Sequence, residues 1–262
     1  MKKQYSTNLL FFSFSFFFLF NYSFSLDPIF ESCVPKDCGD GINISYPFFI
    51  HRIQDPNCGY PGFELHCNNR STILQLPESN FTVKHIDYNK SRIRLQSSMF
   101  TSNRTDHCLS TIRNITSDPN RFMIDNNTTT KLYSISSCSS NVSRVLEKYR
   151  NRLCENEEYV MVKDDMNFKN LTDGCGRGGK IVAMPVELGG GEVVDGGNYM
   201  EVVEKGFVMR WHAADCGVCE RSGGRCGFNR TVFQFRCLCP DRPHMVSCKP
   251  GKIFQFLLYC TH

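Results

Sequence analysis

Residues 216–239 read CGVCERSGGRCGFNRTVFQFRCLC, five cysteines in one short stretch. That spacing suits a zinc site, a redox centre or a set of disulfide staples, and each implies a different fold. The compartment decides among them, and the start of the chain bears on it. Met1, Lys2 and Lys3 make a positive flank, LLFFSFSFFFLF follows at 9–20, and Ser23 and Ser25 are small residues two apart. Charged flank, short apolar run and small-residue exit form the pattern of a secretory signal peptide, here 1–25. The run is shorter than the roughly 20 apolar residues of a membrane span. The expectation is a secreted, extracellular chain.

The cysteines agree with an oxidising compartment. All 15 lie beyond the leader: Cys33, Cys38, Cys58, Cys67, Cys108, Cys138, Cys154, Cys175, Cys216, Cys219, Cys226, Cys237, Cys239, Cys248 and Cys260. Such a set reads as a disulfide framework. Metal or thioredoxin-like readings of Cys216-x-x-Cys219 need a reducing interior, and no ligand-spaced histidine pair follows, so neither metal nor cofactor is expected. The fourteen cysteines from Cys33 to Cys248 are expected to pair among themselves, with Cys260 left over. Their spacing alone does not choose the connectivity.

Sequons give a third signal. N-x-[ST] occurs at Asn43, Asn69, Asn80, Asn89, Asn103, Asn114, Asn126, Asn127, Asn141, Asn170 and Asn229, far more often than this composition would scatter by chance. A glycosylated surface is expected, although the overlapping Asn126 and Asn127 are poor candidates for joint occupancy. The formal net charge of +4 includes Lys2 and Lys3, and no polybasic block exists, which argues against nucleic acid as a partner.

Along the chain, INISYPFFI, FELHC, TILQL, FTVKHIDY and RIRLQ are short apolar runs broken by Pro, Gly and Asn, and FTVKHIDYNKSRIRLQ reads as a hairpin turning near Asn89. A polar stretch from about 97 to 130 separates two halves. In the second half EYVMVK, KIVAMPVE and YMEVVEKGFVMRW read as strands, the last with Phe207, Met209 and Trp211 on one face. Val142, Val145, Leu146, Tyr149 and Leu153 recur at helical spacing in NVSRVLEKYRNRL and predict a helix. LGGGEVVDGGN is a flexible loop, with no GK[ST] to make it a phosphate cradle. The fold expected is mostly β and disulfide-rich: two small extracellular modules with short strands, long loops and one helix.

CGDGINISYPFFI at 38–50 and CGYPGFELHC at 58–67 resemble the galacturonan-binding module of plant wall-associated receptor kinases. The shared marks are Cys38-Gly39, Tyr46-Pro47-Phe48, Cys58-Gly59, Gly62-Phe63, Leu65 and Cys67. GFVMRW at 206–211, then CGVC, SGGRCG and FQFRCLC closing on Cys248, resemble the C-terminal module of the same receptors. The pairing of these modules without typical EGF repeats is similar to the leaf-rust-resistance-locus type of receptor-like kinase. The resemblance implies a galacturonan-binding module at 26–115, a cysteine-rich C-terminal module at 116–248, and a divergent tail at 249–262. It also implies an acidic cell-wall polysaccharide as ligand. A kinase domain is a feature of such receptors, yet no kinase motif occurs in this chain, so an ectodomain-only, non-catalytic product is expected. The alternative reading is a protein-interaction ectodomain or soluble decoy that pairs with a receptor-like kinase or another extracellular protein, with Cys260 open to an intermolecular bridge.

A galacturonate polymer calls for spaced cations, because Arg engages a carboxylate bidentately. KHIDYNKSRIRL offers Lys84, Lys90, Arg92 and Arg94, with Arg92 and Arg94 on one strand face as a two-point clamp. An ordinary solvated strand face is the plainer reading, and the sequon at Asn89 could shield it. Tyr46, Phe48 and Tyr60 are placed to stack on sugar rings, but the YPF and GYPGF contexts equally suit core and turn building. Arg221, Arg225, Arg230 and Arg236 interleave the last cysteines as a second basic set. Catalysis finds no support: Asp164 and Asp165, adjacent on a strand, would point to opposite faces, and His212 and Asp215 lack a nucleophile motif.

Overall fold

The computed structural model describes residues 26–248 apart from 78, 101–107, 112–114, 116–117 and 139–143. The leader, the tail with Cys260, and the sequons at Asn103, Asn114 and Asn141 lie outside the described residues. The strands in chain order are β1 (Phe49–Ile50), β2 (Glu64–Asn68), β3 (Ser71–Leu76), β4 (Ser79–Asp87), β5 (Arg92–Ser97) and β6 (Phe122–Ile124). They continue with β7 (Thr129–Ser136), β8 (Glu158–Val162), β9 (Lys180–Glu187), β10 (Phe207–Trp211), β11 (Arg225–Asn229) and β12 (Gln234–Leu238).

The first sheet has the order β1-β2-β3-β4-β5-β10-β6. Period-two alternation sets its buried face. Ile93 and Leu95 on β5 are fully buried, with Arg92 and Arg94 turned to the other side. Phe207, Met209 and Trp211 on β10 fall on one face, as expected, and join Phe48, Phe63, Leu65, Leu74, Phe81 and Val83 in one core. Phe48 is central, edge-on to Trp211 at 4.9 Å and to Phe63 at 5.5 Å. The strand from the second half thus completes the sheet of the first: β10 runs antiparallel between β5 and β6.

The second sheet, β8-β7-β9, is covered on both faces. Leu132, Val160, Val182, Met184 and Val186 pack on Tyr199, Val202 and Val203, whereas Ile135, Tyr159 and Met161 pack on Leu146, Tyr149 and Leu171. A separate hairpin, β11-β12, carries the last cysteines.

Four short α-helices are described where one was expected: α1 (Pro28–Ser32), α2 (Phe168–Cys175), α3 (Tyr199–Lys205) and α4 (Gly217–Arg221). The predicted helix at NVSRVLEKYRNRL is instead a 3-10 turn, Arg144–Tyr149. Pairing with β8 ends it, because Arg150 bridges Tyr159 and the Asn151 N–H donates to Glu158 O at 2.7 Å. The strand predicted from Tyr199 begins as α3, whose Tyr199, Val202 and Val203 bury at helical spacing, and Gly206 then turns the chain into β10. None of the described helices is long and apolar enough to cross a membrane.

All fourteen cysteines from Cys33 to Cys248 are disulfide-bonded, as Cys33–Cys58, Cys38–Cys67, Cys108–Cys154, Cys138–Cys175, Cys216–Cys226, Cys219–Cys237 and Cys239–Cys248. The opening stretch is therefore a set of staples. It also docks back on the first half. Tyr46 packs edge-on to Phe235 and joins the Cys219, Cys226, Cys237 and Cys239 cluster. Arg225 lies over the Phe30 ring at 3.9 Å, and Arg230 donates to Pro56 O at 3.1 Å.

Candidate functional site

The β4–β5 turn is built by its own side chains. Asp87 Oδ1 accepts the Lys90 N–H at 3.1 Å, and Ser91 takes the left-handed conformation that completes the reversal. Tyr88 ties the turn to the YPF segment: its hydroxyl accepts the Ser45 N–H at 2.9 Å and donates to Asn43 O at 3.0 Å. Burial raises the Tyr88 phenol above its ordinary pKa, with the bond from Ser45 opposing. The turn consequently sits beside Trp211, at the end of β10.

Two grooves flank this point. One, of about 470 Å³, is lined by Asn89, Lys90, Ser91, Arg92, Arg210, Trp211 and His212. Arg92 and Arg210 are direct cross-strand partners, so their side chains share the outer face. Arg92 also forms an ion pair with the buried Asp125 at 2.9 Å, which draws the guanidinium towards the end of β6. Among the described residues no carboxylate lies within ion-pair distance of Lys90 or Arg210, which leaves two cations beside a tethered third. The other groove, of about 380 Å³, shares Asn89, Ser91 and Trp211 and adds Tyr46, Tyr88, Asp215 and Glu220. The two hollows abut and carry opposite charge. A further hollow of about 470 Å³ beside β6 and β9 is mainly apolar, with Ile124, Tyr133, Ile181 and Pro185 in its lining.

The structure sorts the sequence candidates. Lys90 and Arg92 meet in the cationic groove. Arg94 shares the face of Arg92 as expected, but it is ion-paired with Glu187 and donates to Lys205 O at 3.2 Å, outside both grooves. It joins β5 to β9 instead of completing a clamp. Lys84 is exposed at the β4 bulge between Val83 and His85 and lines neither groove. Tyr46 is 7% exposed, and burial, together with the neighbouring Tyr60, raises its phenol far above the ordinary range. Tyr60 packs on Phe63 at 5.7 Å and Phe228 at 4.8 Å, in the seam between the first half and the β11-β12 hairpin. Arg210, His212, Asp215 and Glu220 were not singled out as ligand residues. Alternation in GFVMRW does turn Arg210 away from Trp211, but only the register with Arg92 brings it to the site.

Comparison with known proteins gives the arrangement a relationship. The family described as wall-associated receptor kinase galacturonan-binding matches residues 33–97, and wall-associated receptor kinase C-terminal matches residues 137–242. In Arabidopsis thaliana, the leaf rust 10 disease-resistance locus receptor-like protein kinase-like 1.2 is 31% identical over 251 residues, covering 91% of this chain and 37% of that protein. The kinase-like 2.1 relative is 26% identical, covering 86% of this chain and 36% of its own length. A RING-H2 finger protein from the same plant is 29% identical, covering 81% and 55%. The chain thus spans about a third to a half of the curated relatives it matches. No solved structure matches. With both modules in order and together covering most of the chain, this protein belongs to the family that carries the wall-associated receptor kinase galacturonan-binding and C-terminal modules.

Proposed function

We propose that this chain binds acidic galacturonan without catalysis, as a secreted glycoprotein of the plant cell wall, and that the cationic groove at the β4–β5 turn is its site. The observation that carries this reading is the row of Lys90, Arg92 and Arg210 along one open groove, with Lys90 and Arg92 inside the galacturonan-binding match and Arg210 added from the C-terminal match. Arg92 is held near the groove by its ion pair with Asp125, and Lys90 and Arg210 have charge left to give a second and third carboxylate. Exposed sequon asparagines at Asn43, Asn69, Asn80, Asn89, Asn126, Asn127 and Asn170 support the extracellular placement, and half-buried Asn229 is the exception among those described. Asn89 lies at the rim of the groove, so a glycan there would narrow access.

The test is binding of the glycosylated chain to polygalacturonate and to highly methyl-esterified pectin at two salt concentrations. The acidic polymer should bind selectively, and more weakly in high salt, because screening and esterification both remove carboxylate pairing. Lys90→Ala with Arg210→Ala should weaken binding at least about tenfold, the scale of one or two charge-assisted contacts, whereas Arg94→Ala should leave it unchanged. Binding that ignores salt and esterification, or survives the double substitution, sinks the assignment. Absence of binding to both polymers by folded protein would favour a protein partner, such as a receptor-like kinase.

A further inference from the structure

We infer that the two abutting grooves form one bipartite site whose preferred ligand is a galacturonan of mixed character, with free carboxylates at one end and a neutral or methyl-esterified ring at the other. The inference rests on the galacturonan reading above and adds the pattern the site selects. A ligand lying along the cationic groove past Trp211 enters the second groove directly, because Asn89, Ser91 and Trp211 belong to both. There the charge reverses. Asp215 and Glu220 are exposed on that wall, and no described cation forms an ion pair with either. The Arg221 guanidinium lies over Gly217 on the same side as Asp215 Oδ1 but forms no ion pair with it, so Arg221 offsets part of the charge of Asp215 and Glu220 carries the rest of the reversal.

A free galacturonate entering this groove would face two like charges, the kind of built-in repulsion by which sites reject near relatives of their ligand. A neutral ring meets a different surface. Carboxylates accept hydrogen bonds from sugar hydroxyls, and Tyr46 and Tyr88 supply aromatic wall to the apolar face of a ring or an ester methyl. The Tyr46 hydroxyl is buried near the Ala214 backbone without a well-formed hydrogen bond, a donor still to be satisfied. The volumes, about 470 and 380 Å³, each fall within the range of small-ligand pockets.

The experiment compares two galacturonate oligomers of equal length on the full chain, one wholly de-esterified and one esterified over one terminal block. The block oligomer should bind about fivefold to tenfold more tightly, the effect of relieving one or two screened like-charge encounters. In an Asp215→Asn, Glu220→Gln variant that preference should vanish, mainly because the wholly acidic oligomer improves. Asn keeps the acceptor that holds the Gly217 N–H at 3.0 Å, so the start of α4 is preserved. Equal affinities in the unsubstituted protein, or a preference untouched by the variant, overturn the bipartite site and leave simple galacturonan binding standing. Failure of both oligomers to bind overturns the galacturonan reading and this inference with it.

Discussion

Glu158 lies on β8 with no solvent exposure, and its carboxylate accepts four hydrogen bonds. The donors are Leu109 N at 3.1 Å and, each at 2.6 Å, Ser110 N, Ser134 Oγ and Asn151 Nδ2. One side chain thereby holds the Cys108 segment, β7 and the turn before β8 together. A buried carboxyl group is tolerable only when its oxygens are hydrogen-bonded, and here both are. Glu158→Gln replaces one acceptor oxygen with an N–H₂ that opposes existing donors, so it should cost about 2–3 kcal/mol. The check is the denaturant midpoint, with no change expected in the galacturonan binding proposed above. The sequence marks Glu158 only as one acidic residue at a strand start. Its four donors come from three separate segments, and nothing local in EYVMVK announces them. Arg92 and Arg94 show the same limit: alternation gives their shared face, but Asp125 and Glu187, which occupy their charge, lie far along the chain.

At the scale of elements, Gly206 decides how α3 becomes β10. Its φ of +71° is in the left-handed region, and a Cβ there would stand 2.1 Å from Leu95 O on the adjacent strand. Backbone cannot yield as a side chain tip would, so Gly206→Ala should cost more than about 2 kcal/mol, beyond the conformational penalty of roughly 1 kcal/mol alone. Loss of expression as a soluble oxidised chain, or a sharply lower Tm, is the expected outcome. The short apolar runs that form β3, β4, β5 and β9 were legible, as were the alternation of Arg92 to Leu95 and the Asn89 turn. The 3-10 turn at Arg144–Tyr149 and helix α3 were not, because β8 pairing and a glycine exit override their local pattern. The parallel β1-β2 edge yields a pH effect. His51 and His66 stand with ring centroids 5.0 Å apart, and burial, then His51, hold the His66 pKa below its ordinary value. The unfolded chain therefore binds the proton more readily, so stability is full above about pH 6.5 and falls as acid charges His66 in the fold. Denaturant midpoints at pH 7 and pH 5 should differ less in His66→Gln than in the unsubstituted protein.

For the whole molecule, the two family matches follow one another in sequence but not in space. Residues 33–97 end at β5, whose outer neighbour, β10, belongs to the C-terminal match at 137–242. Phe207, Met209 and Trp211 are 2%, 0% and 5% exposed inside the first module's core, and Tyr46 and Tyr60 pack on the distal hairpin. At roughly 1.5–3 kcal/mol for each large apolar side chain buried, removing the three β10 residues alone forfeits about 5–9 kcal/mol. That is comparable to the 5–15 kcal/mol by which whole domains are stable, before the lost β5–β10 hydrogen bonds are counted. A fragment of residues 26–115, with its own Cys33–Cys58 and Cys38–Cys67 bridges intact, should therefore fail to fold by itself, whereas residues 26–248 should fold cooperatively. Amide dispersion in NMR spectra of the two oxidised chains distinguishes the outcomes. A dispersed, protease-resistant 26–115 fragment would show that β10 is dispensable to the first core. The same logic reaches the proposed function: Arg210, Trp211 and His212 come from the segment the fragment lacks, so the galacturonan binding proposed above should require both modules joined and be absent from the first module with its disulfides alone.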